Sequence, residues 1–217
     1  MALVLYSYFR SSCSYRVRIA LNIKGCSYTQ RPVHLVDRQQ HGPEYASINP
    51  MNQVPALIDG ERVIGESVAI IEYLDALFPQ PRLIPEDPFA AAKARQLVEI
   101  VNSGIQPLQN LKVLQHVSES LKGDRSDWAR LWIGRGLEAL EAMAGLFSGT
   151  YLVGDSISAA DCFLVPQLYN ARRFDMNMDR YPILTAIDQR LRAMQAFQEA
   201  HPSRQPDTPD DLRHDPL

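Results

Sequence analysis

Cysteine is scarce in this chain. Cys13, Cys26 and Cys162 are the only three in 217 residues, with no CxxC pair and no Cys/His cluster at zinc spacing. That pattern excludes a disulfide framework, a dithiol redox cycle and a metal site, and it suits reduced thiols. Long apolar runs are missing too. Stretches such as Val68 to Ile71 fall far short of the roughly 20 residues needed to span a bilayer, and MALVLYSYFR has neither a charged n-region nor a small-residue cleavage site. The expected location is the cytoplasm, with no membrane partner. Nor is there an excess of positive charge: at a net −3 the chain has no basic field for a phosphate backbone, so nucleic acid is not an expected partner.

What is present is ordinary globular material. With 46% hydrophobic and 22% charged residues, the chain can bury a sizeable core, and its length suits two modest domains. Ala2 to Phe9 alternates β-prone apolar and polar residues, which predicts a strand. After a Ser-rich break, Val17, Ala20, Leu21 and Lys24 recur at helical spacing until Gly25 supplies a stop. SYTQRPVHLV reads as a second strand, parallel to the first because a helix separates them. In VPALIDGERVIGES, Asp59-Gly60 between two short apolar runs predicts a β-hairpin. Ser67 is the expected cap of the following helix, VAIIEYLDALF, which turns Val68, Ile71 and Leu74 inward and ends before Pro79.

PQPRLIPEDP, Pro79 to Pro88, holds four prolines in ten residues and can continue neither helix nor strand, so it reads as a linker. Beyond it the pattern is helical: about Ala90 through Val117, about Asp127 to Leu146, a segment opening at Ser158, and about Ile183 to Ala200. Ser158 and Asp161 form an S-x-x-D capping box, a folding element with no chemistry of its own. Ser203 to Leu217, rich in Pro and Asp, has little to bury and is expected to be peripheral. The expected domains are 1–80 and 90–217, joined by a linker over 81–89.

The motifs narrow this further. SSCSYRVRIAL (Ser11 to Leu21), NPMNQVPAL (Asn49 to Leu57), ESVAIIEYL (Glu66 to Leu74), GIQPLQNL (Gly104 to Leu111), DCFLVPQ (Asp161 to Gln167), ARRF (Ala171 to Phe174) and SRQPDTP (Ser203 to Pro209) occur in one order along nearly the whole chain. Together they resemble the zeta class of glutathione transferases. The resemblance implies an α/β thioredoxin-like N-terminal domain plus an all-α C-terminal domain, glutathione as cofactor, and a homodimer.

On its own, a Ser-Ser-Cys run before a helix reads as an N-cap. The resemblance assigns Ser11 to the glutathione sulfur, with Ser12 and Cys13 as close neighbours. A thiol of ordinary pKa about 8.5 needs roughly 2.7 kcal/mol of preferential anion stabilisation to ionise two pH units lower. A hydrogen bond from a hydroxyl supplies about 1.5–3 kcal/mol and a helix N-terminus about 0.3–1 more, so a serine there is sufficient. Arg10 and Arg16 raise the local potential. The resemblance also implies a cis Val54-Pro55 turn whose Val54 main chain pairs with the tripeptide, and Glu66 and Ser67 at its γ-glutamyl end. Gln40, or His41 beside it, is assigned to the glycyl carboxylate, and Gln106, Asn110 and Leu111 to the site from the helical domain. By the residues alone, Ser67 is a cap, His41 a solvated histidine, and the last three a polar interruption in a helix.

The activity implied is glutathione-dependent cis–trans isomerisation of maleylacetoacetate in tyrosine and phenylalanine breakdown, with glutathione transferase chemistry as a side activity. Maleylpyruvate is the alternative substrate. Both are dicarboxylates, and Arg10 and Arg173 are the candidates for their carboxylates, because a guanidinium binds a carboxylate with two parallel hydrogen bonds. Arg172 reads as a surface residue. A second reading makes the chain a monothiol thioltransferase or dehydroascorbate reductase in which Cys13 forms a mixed disulfide with glutathione.

Overall fold

The computed structural model describes residues 2–214. The chain forms two compact units: the segment through Arg82 together with the chain from Arg192 onward, and Leu83–Leu191. The helical domain expected over 90–217 therefore differs from the observed grouping at its C-terminal end.

In the first unit, β1 (Leu3–Ser7) leads into α1 (Ser12–Ile23), β2 (Tyr28–Pro32), α2 (Pro43–Ile48), the hairpin β3 (Ala56–Asp59) and β4 (Arg62–Gly65), and α3 (Ser67–Leu77). Sheet order is β2-β1-β3-β4, with β1 parallel to β2 and the other pairs antiparallel. The alternation seen in the sequence places Leu3, Leu5 and Ser7 on the buried face of β1. Asp59 pairs with Arg62, so the two turn residues are Gly60 and Glu61, one step later than the Asp59-Gly60 expected. Gly60 takes φ +61°, a conformation that favours glycine. The sequence reading missed α2, although Gly42-Pro43 with Glu44 in the first turn is a helix-start signature.

Helix α1 is buried at every position from Ser14 to Leu21, because it packs against both α3 and α9 (Gln195–Ala200). That double contact is why the chain from Arg192 belongs to this unit. In α3 the buried positions are Ser67, Ile70, Ile71, Leu74 and Asp75, the stripe of a helix that faces a core on one side. At the end of α1, Lys24 places its Nζ 2.5 Å from Asp75 and 2.8 Å from the Phe78 carbonyl, and also donates to the Pro81 carbonyl. The start of the proline-rich linker is thereby anchored to α1. The expected periphery is also corrected: Ser203, Gln205 and Thr208 are buried, held by hydrogen bonds that composition does not reveal.

In the second unit, α4 (Pro88–Glu99) runs into a π-helical turn, Ile100–Ile105, and the chain then breaks before α5 (Leu111–Glu119). One helix from Ala90 through Val117 is thus not formed. Gln106 keeps helical backbone, but Pro107 has no N–H to continue the ladder, and Asn110 starts α5 afresh by accepting from the Lys112 N–H at 3.2 Å. The expected helix at Ile183 to Ala200 likewise divides into α8 (Pro182–Arg192) and α9. Helix α6 (Arg125–Phe147) crosses the π-turn closely: a Cβ at Gly136 would lie 2.2 Å from Ile105. Helix α7 (Ala159–Arg173) is buried almost throughout, so its ends need internal satisfaction.

The capping box does this. Asp161 accepts from the Ser158 N–H (2.8 Å), the Ser158 hydroxyl (3.0 Å) and the Leu152 N–H (3.0 Å). Burial pushes its carboxyl from the ordinary 3.8 up to about 6, against the pull of these bonds. Between those two values the folded state holds this proton more tightly than the unfolded state does. Its contribution to stability is therefore complete below about pH 4 and is lost as pH rises through about 6. Denaturant titrations across that window should show the slope in the wild type and lose it in Asp161→Asn.

Candidate active site

The sheet register sets the location. Tyr6 pairs with Arg31 on one side and Ala56 on the other, and Ala56 pairs with Gly65, so these four residues form one row across the sheet. The carboxyl ends of β1, β2 and β4 and the amino end of β3 consequently share one edge. The loop to Ser11, the segment to Gln40, the Val54-Pro55 turn and Glu66-Ser67 all leave from that edge. Four segments far apart in sequence are brought together there by topology.

Ser11 is the N-cap of α1, its Oγ accepting from the Ser14 N–H at 3.2 Å. Its own N–H donates to the Tyr8 carbonyl at 3.0 Å, closing the turn after β1. The cap role and the sulfur-binding role are compatible, because the cap uses a lone pair and leaves the hydroxyl proton. Ser12 and Cys13 occupy the first two helical positions, both half-buried, and Cys13 is a free thiol. Neither α1 nor α3 has an acidic residue in its first turn, so no carboxylate within either helix offsets the positive end it presents to this edge. Arg10 is half-buried, with its guanidinium 5.5 Å from the centre of the Phe9 ring.

At the start of α3 the expectation is corrected. Glu66, not Ser67, occupies the N-cap position, without a side-chain cap bond, and Ser67 is the first helical residue. Glu66 has φ 62° and ψ 121°, a backbone that costs a non-glycine residue about 1–3 kcal/mol. Its exposed side chain offers a carboxylate at the same edge. Ser67 is buried, and its Oγ accepts from Arg16 Nη1 at 3.1 Å, again leaving a hydroxyl proton. Arg16 is thus a buried strut between α1 and α3, with its guanidinium beside the head of α3.

Val54-Pro55 is cis. Two donors hold the preceding carbonyl of Gln53, the Tyr45 hydroxyl at 2.5 Å and Asn49 Nδ2 at 2.8 Å. Burial raises the Tyr45 phenol far above its ordinary value, so it stays a neutral donor. Among the described residues the Val54 N–H and carbonyl have no partner, which leaves a donor and acceptor pair for an extended peptide. Gln40 is half-buried with its Oε1 shielded and without a donor, whereas His41 is exposed. This chain's own residues therefore fit a γ-glutamyl tripeptide thiol: two serine protons, a free main-chain pair, an amide and a carboxylate.

The remaining predicted residues belong to the second unit. Gln106 follows the π-turn, half-buried, with its N–H on the Val101 carbonyl at 2.8 Å; Asn110 caps α5; Leu111 is 41% exposed. Arg173 is exposed near the end of α7, 3.4 Å from Asn170 Oδ1 and with its guanidinium 5.9 Å from the Tyr169 ring centre. Arg172, expected at the surface, instead reaches the fully buried Asp188 at 2.6 Å.

Sequence reasoning passed over Arg18. It is fully buried, donating to the Phe9 carbonyl (2.9 Å), the Ala200 carbonyl (3.0 Å), Ser7 Oγ (3.1 Å) and the Tyr8 carbonyl (3.4 Å). It also passed over the reciprocal amide pair Gln109–Gln167, at 2.8 and 3.4 Å, which ties the break after the π-turn to α7. The one available signal for Arg18 was its place between Val17 and Ile19, inside a locally apolar run.

Residues 5–82 match the glutathione S-transferase N-terminal domain and residues 126–196 the C-terminal domain of the same family. The chain belongs to the glutathione S-transferases, in the zeta class. It is 53% identical over 212 residues to probable maleylacetoacetate isomerase 2 of Drosophila melanogaster, covering 96% of this chain and 92% of the relative. Among solved structures it resembles maleylacetoacetate isomerase from Anaeromyxobacter dehalogenans with glutathione bound in the active site (TM-score 0.88, 45% identity, 96% of this chain and 98% of that one). It also resembles the holo structure of a bacterial zeta-class maleylpyruvate isomerase (TM-score 0.93, 37% identity, 95% and 100% covered).

Proposed function

We propose that this protein is a glutathione-dependent cis–trans isomerase converting maleylacetoacetate to its fumaryl isomer in tyrosine and phenylalanine breakdown. Supporting the substrate are the names of its relatives in Drosophila and in the rat, the latter 49% identical. The observation that carries the chemistry is the state of two serines: Ser11 and Ser67, at two helix N-termini on one sheet edge, accept hydrogen bonds from the fold and keep their hydroxyl protons for an anion. Glutathione supplies a thiol that adds to the cis double bond and leaves after rotation, so it is not consumed. Ser11 holds the ionised sulfur by donating its hydroxyl. Ser67 and the α3 N-terminus bind the γ-glutamyl carboxylate, and Glu66 faces the ammonium. The Val54 main chain pairs with the cysteinyl residue, and Gln40 takes the glycyl end. Arg10 binds a substrate carboxylate, and Arg173 suits the same chemistry. Gln106, Asn110 and Leu111 keep the roles that their family positions give them.

Isomerisation of both maleylacetoacetate and maleylpyruvate, followed with and without glutathione, tests this. Turnover should depend on glutathione at substoichiometric amounts and be faster with maleylacetoacetate; turnover without glutathione refutes it. Cys13→Ala should keep isomerase activity within about threefold of wild type, since Cys13 acts here only by its size. Loss of isomerase turnover in that variant, with little loss in Ser11→Ala, would favour the thioltransferase reading. The family resemblance and the free cysteines support a cytoplasmic homodimer, and exposed Met51 and Val63 on the first unit offer apolar surface; light scattering checks the assembly. No described helix is long and apolar enough to cross a membrane.

A further inference from the structure

We infer that Asp207, in the C-terminal segment SRQPDTP, is a positioning residue for the loop that carries Ser11. The inference rests on the proposed role of Ser11. Asp207 Oδ2 accepts the Phe9 N–H at 2.8 Å, while Oδ1 accepts from Gln30 Nε2 of β2 at 3.4 Å. Phe9 lies two residues before Ser11, in the turn closed by the Ser11 N–H on the Tyr8 carbonyl. Arg18 grips the same turn through the Phe9 and Tyr8 carbonyls. A carboxylate and a guanidinium thus hold the N–H and the C=O of a single residue.

The segment that presents Asp207 is itself locked in place. Gln205 Nε2 donates to the Glu199 and His201 carbonyls at 2.9 and 2.7 Å, and Thr208 donates to the Pro202 carbonyl. Farther along, Leu212 packs on the cluster that contains Tyr8, Phe9, Tyr45 and Val54. The carboxylate therefore belongs to a rigid strap, and the strap sets the orientation of the Phe9 peptide. A displacement of the Ser11 hydroxyl by a fraction of an ångström is enough to weaken its bond to a thiolate.

The test follows the ultraviolet absorbance of the thiolate of bound glutathione against pH, together with isomerase kinetics. Asp207→Ala should move the half-ionisation point up by about half to one pH unit and lower kcat/KM about five- to tenfold. Asp207→Asn, which keeps an oxygen for the Phe9 N–H, should return both to within about twofold of wild type. A role in stability alone would lower the melting temperature and leave the half-ionisation point unmoved, and that result in Asp207→Ala overturns the inference. If the alanine variant does not fold, amide exchange in the wild type decides: a protected Phe9 N–H supports the strap, and one exchanging like an exposed loop amide overturns it. A wild type that binds glutathione without forming thiolate overturns the proposed role of Ser11 and this inference with it.

Discussion

Ser11→Ala should lower kcat/KM for isomerisation by about ten- to a hundredfold and raise the pH at which bound glutathione is half-ionised by about one to two pH units. The change removes the hydroxyl proton that faces the sulfur. It also removes the cap, since Ser11 Oγ accepts the Ser14 N–H, so a stability loss of about 0.5–2 kcal/mol accompanies it. The two effects separate in Ser11→Asp. Aspartate caps a helix as well as serine does, but it has no proton to donate and brings negative charge to a thiolate. That variant should melt near the wild type and be at least as inactive as the alanine variant. Wild-type thiol ionisation in either variant would remove Ser11 from the mechanism.

Lys24→Met should destabilise the protein by about 3–5 kcal/mol, measured by denaturant unfolding, because it removes the cation from a buried ion pair. The Lys24 side chain is fully buried and that of Asp75 is 7% exposed, so the carboxylate left behind gains little from water. The same change strips a donor from the Phe78 and Pro81 carbonyls, where the linker begins. The double variant Lys24→Met with Asp75→Leu should recover most of the loss, since replacing both charges avoids leaving a buried carboxylate short of its lysine. If the double variant is no better than the single one, the linker carbonyls rather than the ion pair account for the cost.

Part of the candidate site was legible locally: Ser11 at the head of α1 follows from its neighbours in sequence. The cis Val54-Pro55 turn and the place of Glu66-Ser67 were implied by the family resemblance instead, the residues alone having put the α3 cap at Ser67. The hairpin and its glycine were legible locally too, apart from one residue of register. Other features were misread where local pattern competes with distant contact. Lys24 fitted the apolar spacing of α1 and proved to be half of a buried pair. Arg16 and Arg18 carry charge on a helix covered on two sides, which no periodicity distinguishes from an exposed face. The run from Ala90 to Val117 looks continuous because one proline, Pro107, is a weaker signal than the helical pattern on either side.

By itself the sequence determined the strand and helix order of the first unit, the hairpin, the cap at the head of α1 and the helical pattern of the second unit, because caps, turn residues and apolar spacing act over three or four neighbours. Tertiary structure alone decided that these pieces share one edge, since that follows from strand order and register between segments dozens of residues apart. It also decided the place of the tail. Composition marked Ser203 onward as having little to bury, yet hydrogen bonds to α9 and to Phe9 hold it, and such bonds depend on where a carbonyl or N–H lies in space rather than on hydrophobicity.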